Sequence, residues 1–145
     1  MQPNNNVEQL IAKMAEDIQA KFLQSEQDEV LMIGIHTGGV WVAQRLHQLL
    51  ELSQPLGILD ISFYRDDFSR IGMNPQVKPS NLPVSVDNKH ILLVDDILHT
   101  GRTIRAAMNE LFDYGRPASI RLIVLGERSG RELPIQPDVV GQHMP

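Results

Sequence analysis

Ile91-Leu92-Leu93-Val94-Asp95-Asp96-Ile97-Leu98-His99-Thr100-Gly101-Arg102-Thr103 is the stretch that decides the fold. Its opening, His90–Val94, is a short unbroken apolar run, which predicts a strand buried on both faces. Asp95 and Asp96 are expected to end that strand, and Ile97–Thr103 to form a loop. Ile104, Ala107, Met108, Leu111 and Phe112 then recur at helical spacing. A buried strand, a small-residue loop and a helix N-terminus together favour a phosphate, because backbone N–H groups and the positive end of the helix dipole converge there. Thr100 and Thr103 add hydroxyl donors, and Gly101 lets the backbone come close. Asp95 and Asp96 repel a phosphate. They suit sugar hydroxyls, a developing positive charge, or a metal reached through water. An isolated Asp-Asp more often caps a loop; the surrounding strand–loop–helix context favours chemistry and points to a sugar phosphate.

Working outward, Val30–Ile35 is a second apolar run, followed by His36-Thr37-Gly38-Gly39 and a helical stripe over Val40–Leu50. Val7, Leu10, Ile11, Met14, Ile18 and Phe22 predict an earlier packing helix, capped by Asn6 with Gln9 three residues on. Leu59, Ile61 and Phe63 alternate with polar partners and predict a strand over Leu56–Tyr64. Arg65–Lys89 breaks all periodicity with Gly72, Pro75, Pro79 and Pro83, which predicts a flexible arm or lid. Gly115 and Pro117 close the helix after the Asp pair. Ser119–Leu125 is the next strand, Gly126–Pro134 is polar, and Asp138–Val140 is a last short strand. Alternating strands and helices with unbroken apolar strands predict a single α/β domain, with a mainly parallel sheet flanked by helices. Ligands of such sheets bind at the carboxyl ends of strands, where both glycine-bearing turns fall.

Composition narrows the function. The chain has 145 residues and no cysteine, so it carries no disulfide, cysteine–zinc site, iron–sulfur cluster or cysteine nucleophile. A net charge of -5 excludes a uniformly basic nucleic-acid binder, although 13 Lys and Arg leave room for a local basic patch. The polar start, Met1–Asn6, lacks the basic and apolar regions of a signal peptide, and no stretch is long enough to span a bilayer. A cytoplasmic location is the expectation.

The Asp95–Thr103 string resembles the phosphoribosyl pyrophosphate (PRPP) signature of type I phosphoribosyltransferases. The resemblance extends through Asp60-Ile61-Ser62-Phe63-Tyr64-Arg65-Asp66-Asp67, Gly101–Met108, Gly115-Arg116-Pro117 and Arg131-Glu132-Leu133-Pro134-Ile135 to the PyrR family. These are bifunctional pyrimidine operon regulators and uracil phosphoribosyltransferases. The resemblance implies a type I phosphoribosyltransferase domain over residues 1–145, with a flexible arm at 65–89 and a partial hood at 126–145. It implies transfer of phosphoribosyl from PRPP to uracil, giving UMP and pyrophosphate, with Mg²⁺ bound to PRPP. Asp95 and Asp96 would face the ribose as catalytic groups and possible contacts to the Mg²⁺. Ile97, Leu98, His99, Thr100, Gly101, Arg102 and Thr103 would surround the 5-phosphate. His36 to Gly39 would be the pyrophosphate loop, bound through Thr37, Gly38 and Gly39, and in this superfamily that loop often carries a non-proline cis peptide. The family also implies UMP and UTP as ligands, leader RNA as a partner, and a homodimer or higher oligomer. A nucleotide-sensing attenuator with little catalysis is the alternative function.

Some residues admit two interpretations. Arg65 could pair with Asp66 or Asp67 at the surface, but its place at the root of the arm favours pyrophosphate; Arg102 could pair with a nearby acid, but its place in the matching motif favours ligand. Trp41 and Met108 are expected to pack, and Arg116, Arg121, Arg128 and Arg131 to be solvated. The family pattern is broken at Thr37-Gly38-Gly39, where Thr-Arg-Gly is usual, and at Glu127-Arg128-Ser129-Gly130, where Asp-Arg-Gly-His is usual. Family members also run on past His143-Met144-Pro145, which implies a trimmed end or a smaller hood.

Overall fold

The structure, a computed structural model, describes residues 3–24, 29–61 and 80–144. Along the chain run α1 (Pro3–Phe22), β1 (Val30–His36), α2 (Gly38–Leu50), β2 (Gly57–Asp60), β3 (His90–Leu98), α3 (Arg102–Tyr114), β4 (Ser119–Arg128) and β5 (Val139–Met144). The strands form one five-stranded sheet in the order β2-β1-β3-β4-β5, and every neighbouring pair is parallel. The α/β class and the parallel sheet expected from the sequence are both present.

Strand order reverses between β1 and β3. From β1 the chain moves outward to β2; from β3 it moves the other way to β4 and β5. Right-handed crossovers in opposite directions put α2 and α3 on opposite faces. The two cores follow. Met14, Ile18 and Leu46 of α1 and α2 pack with Met32, Leu92 and Val94. Ile104 and Leu111 of α3 pack with Leu31, Ile33, Ile91 and Leu93. Successive residues of β1 and β3 therefore enter different cores, and both faces demand apolar side chains.

Several boundaries differ from expectation. The first helix begins at Pro3, so Asn6 lies inside it and does not cap it. The second begins at Gly38, so the glycine pair is helical rather than loop. The decisive strand runs on to Leu98, placing Asp95, Asp96, Ile97 and Leu98 inside β3. Pairing continues there as Ile97 with Gly126 and Leu98 with Glu127, because ladder hydrogen bonds need no apolar side chain. For the same reason β4 and β5 outlast their apolar runs, and part of the stretch expected as hood belongs to the sheet. Gly115 is extended rather than left-handed. Its lack of a side chain admits Asp87, whose Oδ1 accepts the Arg116 N–H at 2.7 Å.

Residues 65–79, with Arg65 and most of the expected arm, lie outside the described residues, as do Ser62–Tyr64 of the expected second strand. Residues 80–89 return along the sheet. Asn81 bridges Ile58 antiparallel with bonds of 2.7 and 2.8 Å, and Val86 is buried. Ser80 Oγ accepts the Asp60 N–H at 3.0 Å and donates to Oε2 of the buried Glu110 at 3.2 Å. Among the described residues no helix is long and apolar enough to cross a membrane.

α2 sits directly on β1. A Cβ added at Gly34 would meet Ala43 Cβ at 2.9 Å and Val40 Cα at 3.0 Å. Gly34→Val is therefore expected to lower unfolding free energy by about 2 kcal/mol through overpacking, read from urea denaturation.

Candidate active site

β1 and β3 end side by side at the point where strand order reverses, and each feeds a helix N-terminus. At β1 the His36–Thr37 peptide is cis, as the resemblance implies, and Gly38 opens α2. Gly39 is pressed onto β3. A Cβ there would collide with the Val94 carbonyl and stand 2.8 Å from Asp95 Cα. A Cβ at Gly38 would instead collide with the Asp96 carboxylate. His36 Nδ1 lies 3.2 Å from Thr37 Oγ1 and 3.5 Å from Asp60 Oδ2. His36, the last residue of β1, opens the His36–Gly39 turn expected to receive pyrophosphate.

The two carboxylates have different surroundings. Neighbouring residues of a strand point to opposite faces. Asp96 lies against Gly38 at the start of α2, and strand alternation turns Asp95 away from it. Asp95 is buried, and its Oδ1 accepts the Asp96 N–H at 2.8 Å. Asp96 Oδ1 accepts the Ile97 N–H at 2.7 Å. Both bonds are charge-assisted and fix the side chains against their own backbone.

On the β3 side, His99–Gly101 make the turn into α3, and Gly101 has a left-handed φ of 97°. The turn encloses a pocket of about 170 Å³, lined by Ile97–Gly101 with Thr103 and Ile104. The Arg102 N–H donates to Thr100 Oγ1 at 3.1 Å. Thr103 and Ile104 lie in the first turn of α3, where N–H groups have no intrahelical acceptor. The carbonyls of the turn are engaged on the other side. Thr100 O accepts from Glu132 N at 2.9 Å and Leu133 N at 3.1 Å, and His99 O accepts from Arg131 Nη1 at 2.7 Å. The turn thus offers donors to its pocket and turns acceptors to the protein.

The expected site residues divide. Thr37, Gly38, Gly39, Asp95, Asp96 and the turn from Ile97 to Thr103 are brought together at the ends of β1 and β3. The Leu98 side chain is buried in the core and contributes through its backbone. The Arg102 side chain is 67% exposed and bonds Glu132 Oε1 at 2.7 Å, an exposed pair contributing at most about 1 kcal/mol. Trp41, expected to pack, is 39% exposed. Arg131, expected to be solvated, is largely enclosed behind the phosphate turn. Arg116, Arg121 and Arg128 are exposed, with the Arg121 guanidinium 5.2 Å from the Phe22 ring centroid. A second pocket of about 280 Å³ lies over the ends of β4 and β5, beside Glu127, Ser129 and His143.

A parallel sheet with acids between two helix N-termini at its reversal point is the arrangement of a type I phosphoribosyltransferase. The phosphoribosyl transferase domain family matches residues 1–144. A hypoxanthine-guanine phosphoribosyltransferase from Bacillus anthracis superposes with a TM-score of 0.78 at 18% identity, covering 100% of this chain and 82% of its own, which shows the fold. The bifunctional protein PyrR of Nitrosococcus oceani is 59% identical over 141 residues, spanning 96% of this chain and 80% of that protein. Its counterpart in Pseudomonas paraeruginosa is 56% identical over 137 residues, spanning 94% and 81%. The chain belongs to the PyrR family of phosphoribosyltransferases.

The two glycines of α2 should respond differently to a methyl group. Gly39→Ala meets backbone that does not yield and is expected to lose about 2 kcal/mol. Gly38→Ala meets the Asp96 carboxylate, which can turn away at the loss of its Ile97 N–H bond, and is expected to lose about 1 kcal/mol. Chemical denaturation of both variants checks the contrast.

Proposed function

We propose that this chain transfers phosphoribosyl from PRPP to uracil, releasing UMP and pyrophosphate, and that it also regulates a pyrimidine operon. The observation that carries the first part is the placement of Asp95 and Asp96 between the N-termini of α2 and α3 at the strand-order reversal. In this proposal the turn from Ile97 to Thr103 holds the 5-phosphate through backbone N–H groups and the Thr100 and Thr103 hydroxyls. Thr37, Gly38 and Gly39 receive the pyrophosphate, and Arg65 reaches it from the arm.

The bond from C1 of the ribose to pyrophosphate breaks as N1 of uracil bonds to C1, and the N1 proton is released. Positive charge develops at C1 in passing. Asp95 and Asp96 are anionic acceptors held in place before the reaction, so they stabilise that charge more than they stabilise the substrate. The part of the expected arm before Ser80 closes over PRPP and excludes water, the competing nucleophile, whereas residues 80–89 are anchored to β2 and the core. The stretch 126–145 forms the side of the cleft that receives the base.

Charge arithmetic supports Mg²⁺ arriving with the substrate. Each helix N-terminus offers about half a positive charge, so the pair offsets about one carboxylate. One unit charge 4 Å from another is worth about 4 kcal/mol at an effective dielectric near 20. Two carboxylates beside a polyanion therefore leave a deficit of that order. Among the described residues no group of three or more His, Asp or Glu is placed to hold a metal ion. The residues present suit a cation that rides on the pyrophosphate and meets the protein at Asp95 or Asp96. When bound, Mg²⁺ supplies leaving-group charge neutralisation.

The shared name of the relatives, bifunctional protein PyrR, supports the regulatory part. Leader RNA is its proposed partner, with UMP and UTP as effectors and a homodimer or higher oligomer as the binding form, all in the cytoplasm. The exposed Arg116, Arg121 and Arg128 are available as phosphate contacts, and such a complex weakens as salt rises.

The deciding assay offers uracil, hypoxanthine, guanine and orotate in parallel with PRPP and Mg²⁺. UMP from uracil alone is expected. The Asp95→Asn, Asp96→Asn double variant should keep its melting transition and lose at least about 10²-fold in turnover; wild-type turnover in that variant would remove the catalytic role assigned to both residues.

A further inference from the structure

Arg131 is the largest polar hub outside the residues assigned to substrate. Its side chain is 18% exposed and its partner Glu127 is 14% exposed, so the pair is mostly screened from water. Its guanidinium makes four hydrogen bonds. Nη1 donates to His99 O at 2.7 Å and Arg128 O at 3.2 Å, Nε donates to Ile135 O at 2.9 Å, and Nη2 donates to the Glu127 carboxylate. The other oxygen of that carboxylate lies 2.9 Å from His143 Nδ1 on β5. A line of contacts therefore crosses the ends of three adjacent strands, from β5 through β4 to the turn that follows β3.

From this we infer that Arg131 is a positioning residue for the phosphate turn: it holds the His99 carbonyl away from the pocket, so that the turn presents donors to an anion. The inference rests on the proposal that this turn binds the 5-phosphate. Its physical basis is the direction of the peptide units. A carbonyl rotated into the pocket meets a phosphate with its negative end, and the same rotation withdraws a donor. The Glu132 and Leu133 N–H groups hold the next carbonyl, of Thr100, in the same sense. Their position depends on Arg131, which precedes them directly and is bonded forward to Ile135 O. Only a planar guanidinium reaches carbonyls and a carboxylate in several directions at once; a lysine ammonium has three donors and no fixed plane. Glu127 fixes the plane of the guanidinium, and Gly130, with a left-handed φ of 108°, makes the bend that brings the two residues together.

The test compares Arg131→Gln and Arg131→Lys with Asp138→Ala. Asp138 Oδ2 accepts the Leu122 N–H at 2.8 Å, and its loss destabilises the β4–β5 pair without touching the turn. Each protein is assayed for ribose 5-phosphate binding by calorimetry, for amide hydrogen exchange over residues 99–104, for melting temperature, and for KM and kcat with PRPP. Arg131→Gln is expected to bind ribose 5-phosphate about tenfold more weakly or worse, to exchange faster over 99–104, and to raise KM for PRPP more than it lowers kcat. Arg131→Lys should recover part of each, and Asp138→Ala should melt earlier with binding and turn exchange unchanged. If Arg131→Gln melts earlier but keeps wild-type binding and turn exchange, Arg131 is merely structural and the inference is overturned. If wild type does not bind ribose 5-phosphate while Arg131→Gln still exchanges faster over 99–104, the positioning role stands and the phosphate assignment falls.

Discussion

The close approach of α2 to β3 at Gly39 is the contact on which the site depends. Strand order reverses between β1 and β3, so the crossovers leave to opposite faces and a cleft opens above the two strand ends. The cleft becomes useful only if the helix after β1 starts close enough to aim its N-terminus into it. Gly39 makes this possible, because any larger residue would meet the Val94 carbonyl and Asp95 Cα. The same approach brings the Gly38 turn against Asp96. Packing and chemistry are therefore set by one contact, and the apolar faces of α1 and α2 hold the helix to it.

Much of this was legible in the sequence, and the limits have physical causes. His90–Val94 and Val30–Ile35 read as buried strands because β1 and β3 are covered on both faces, and sidedness never had to be inferred. The turn into α3 is legible in kind, since Gly101 takes the left-handed φ of 97° that favours glycine. Its boundary was misplaced because polar side chains at Asp95 and Asp96 looked like the end of a strand, whereas ladder pairing ignores side-chain polarity. The capping role expected for Asn6 failed for a related reason: helix formation runs back to Pro3, upstream of the apolar stripe. Arg131 was the larger omission. Periodicity arguments see neighbours on one element, and the acceptors of Arg131 come from the β4 end, the following loop and the turn after β3. The single local clue was Glu127 four residues before it, with Gly130 between.

Strand alternation also corrects the picture of an acid pair. Adjacent carboxylates in a loop can converge on one atom, but in a strand they diverge. Asp96 lies against the start of α2, and alternation turns the buried Asp95 the other way. Two anchoring N–H bonds, from Asp96 to Asp95 and from Ile97 to Asp96, keep them from swinging together. A ligand with a phosphate at each end and a sugar between matches that spread better than a compact metal centre does.

Gly38 sharpens the electrostatic problem. Where the family pattern carries arginine, this turn presents backbone alone, and the nearest side-chain charge to it is the carboxylate of Asp96. His36, beside the turn and 3.5 Å from Asp60, is half-exposed and shares its surroundings with another acid. Among the described residues, the β1 end thus presents peptide dipoles to the cleft, with an acid rather than an arginine beside them. Dipoles fixed by a helix and a sheet cost little to reorganise when charge moves, whereas a flexible arginine must first be ordered. That trade places more weight on the rigidity of the backbone around the cleft.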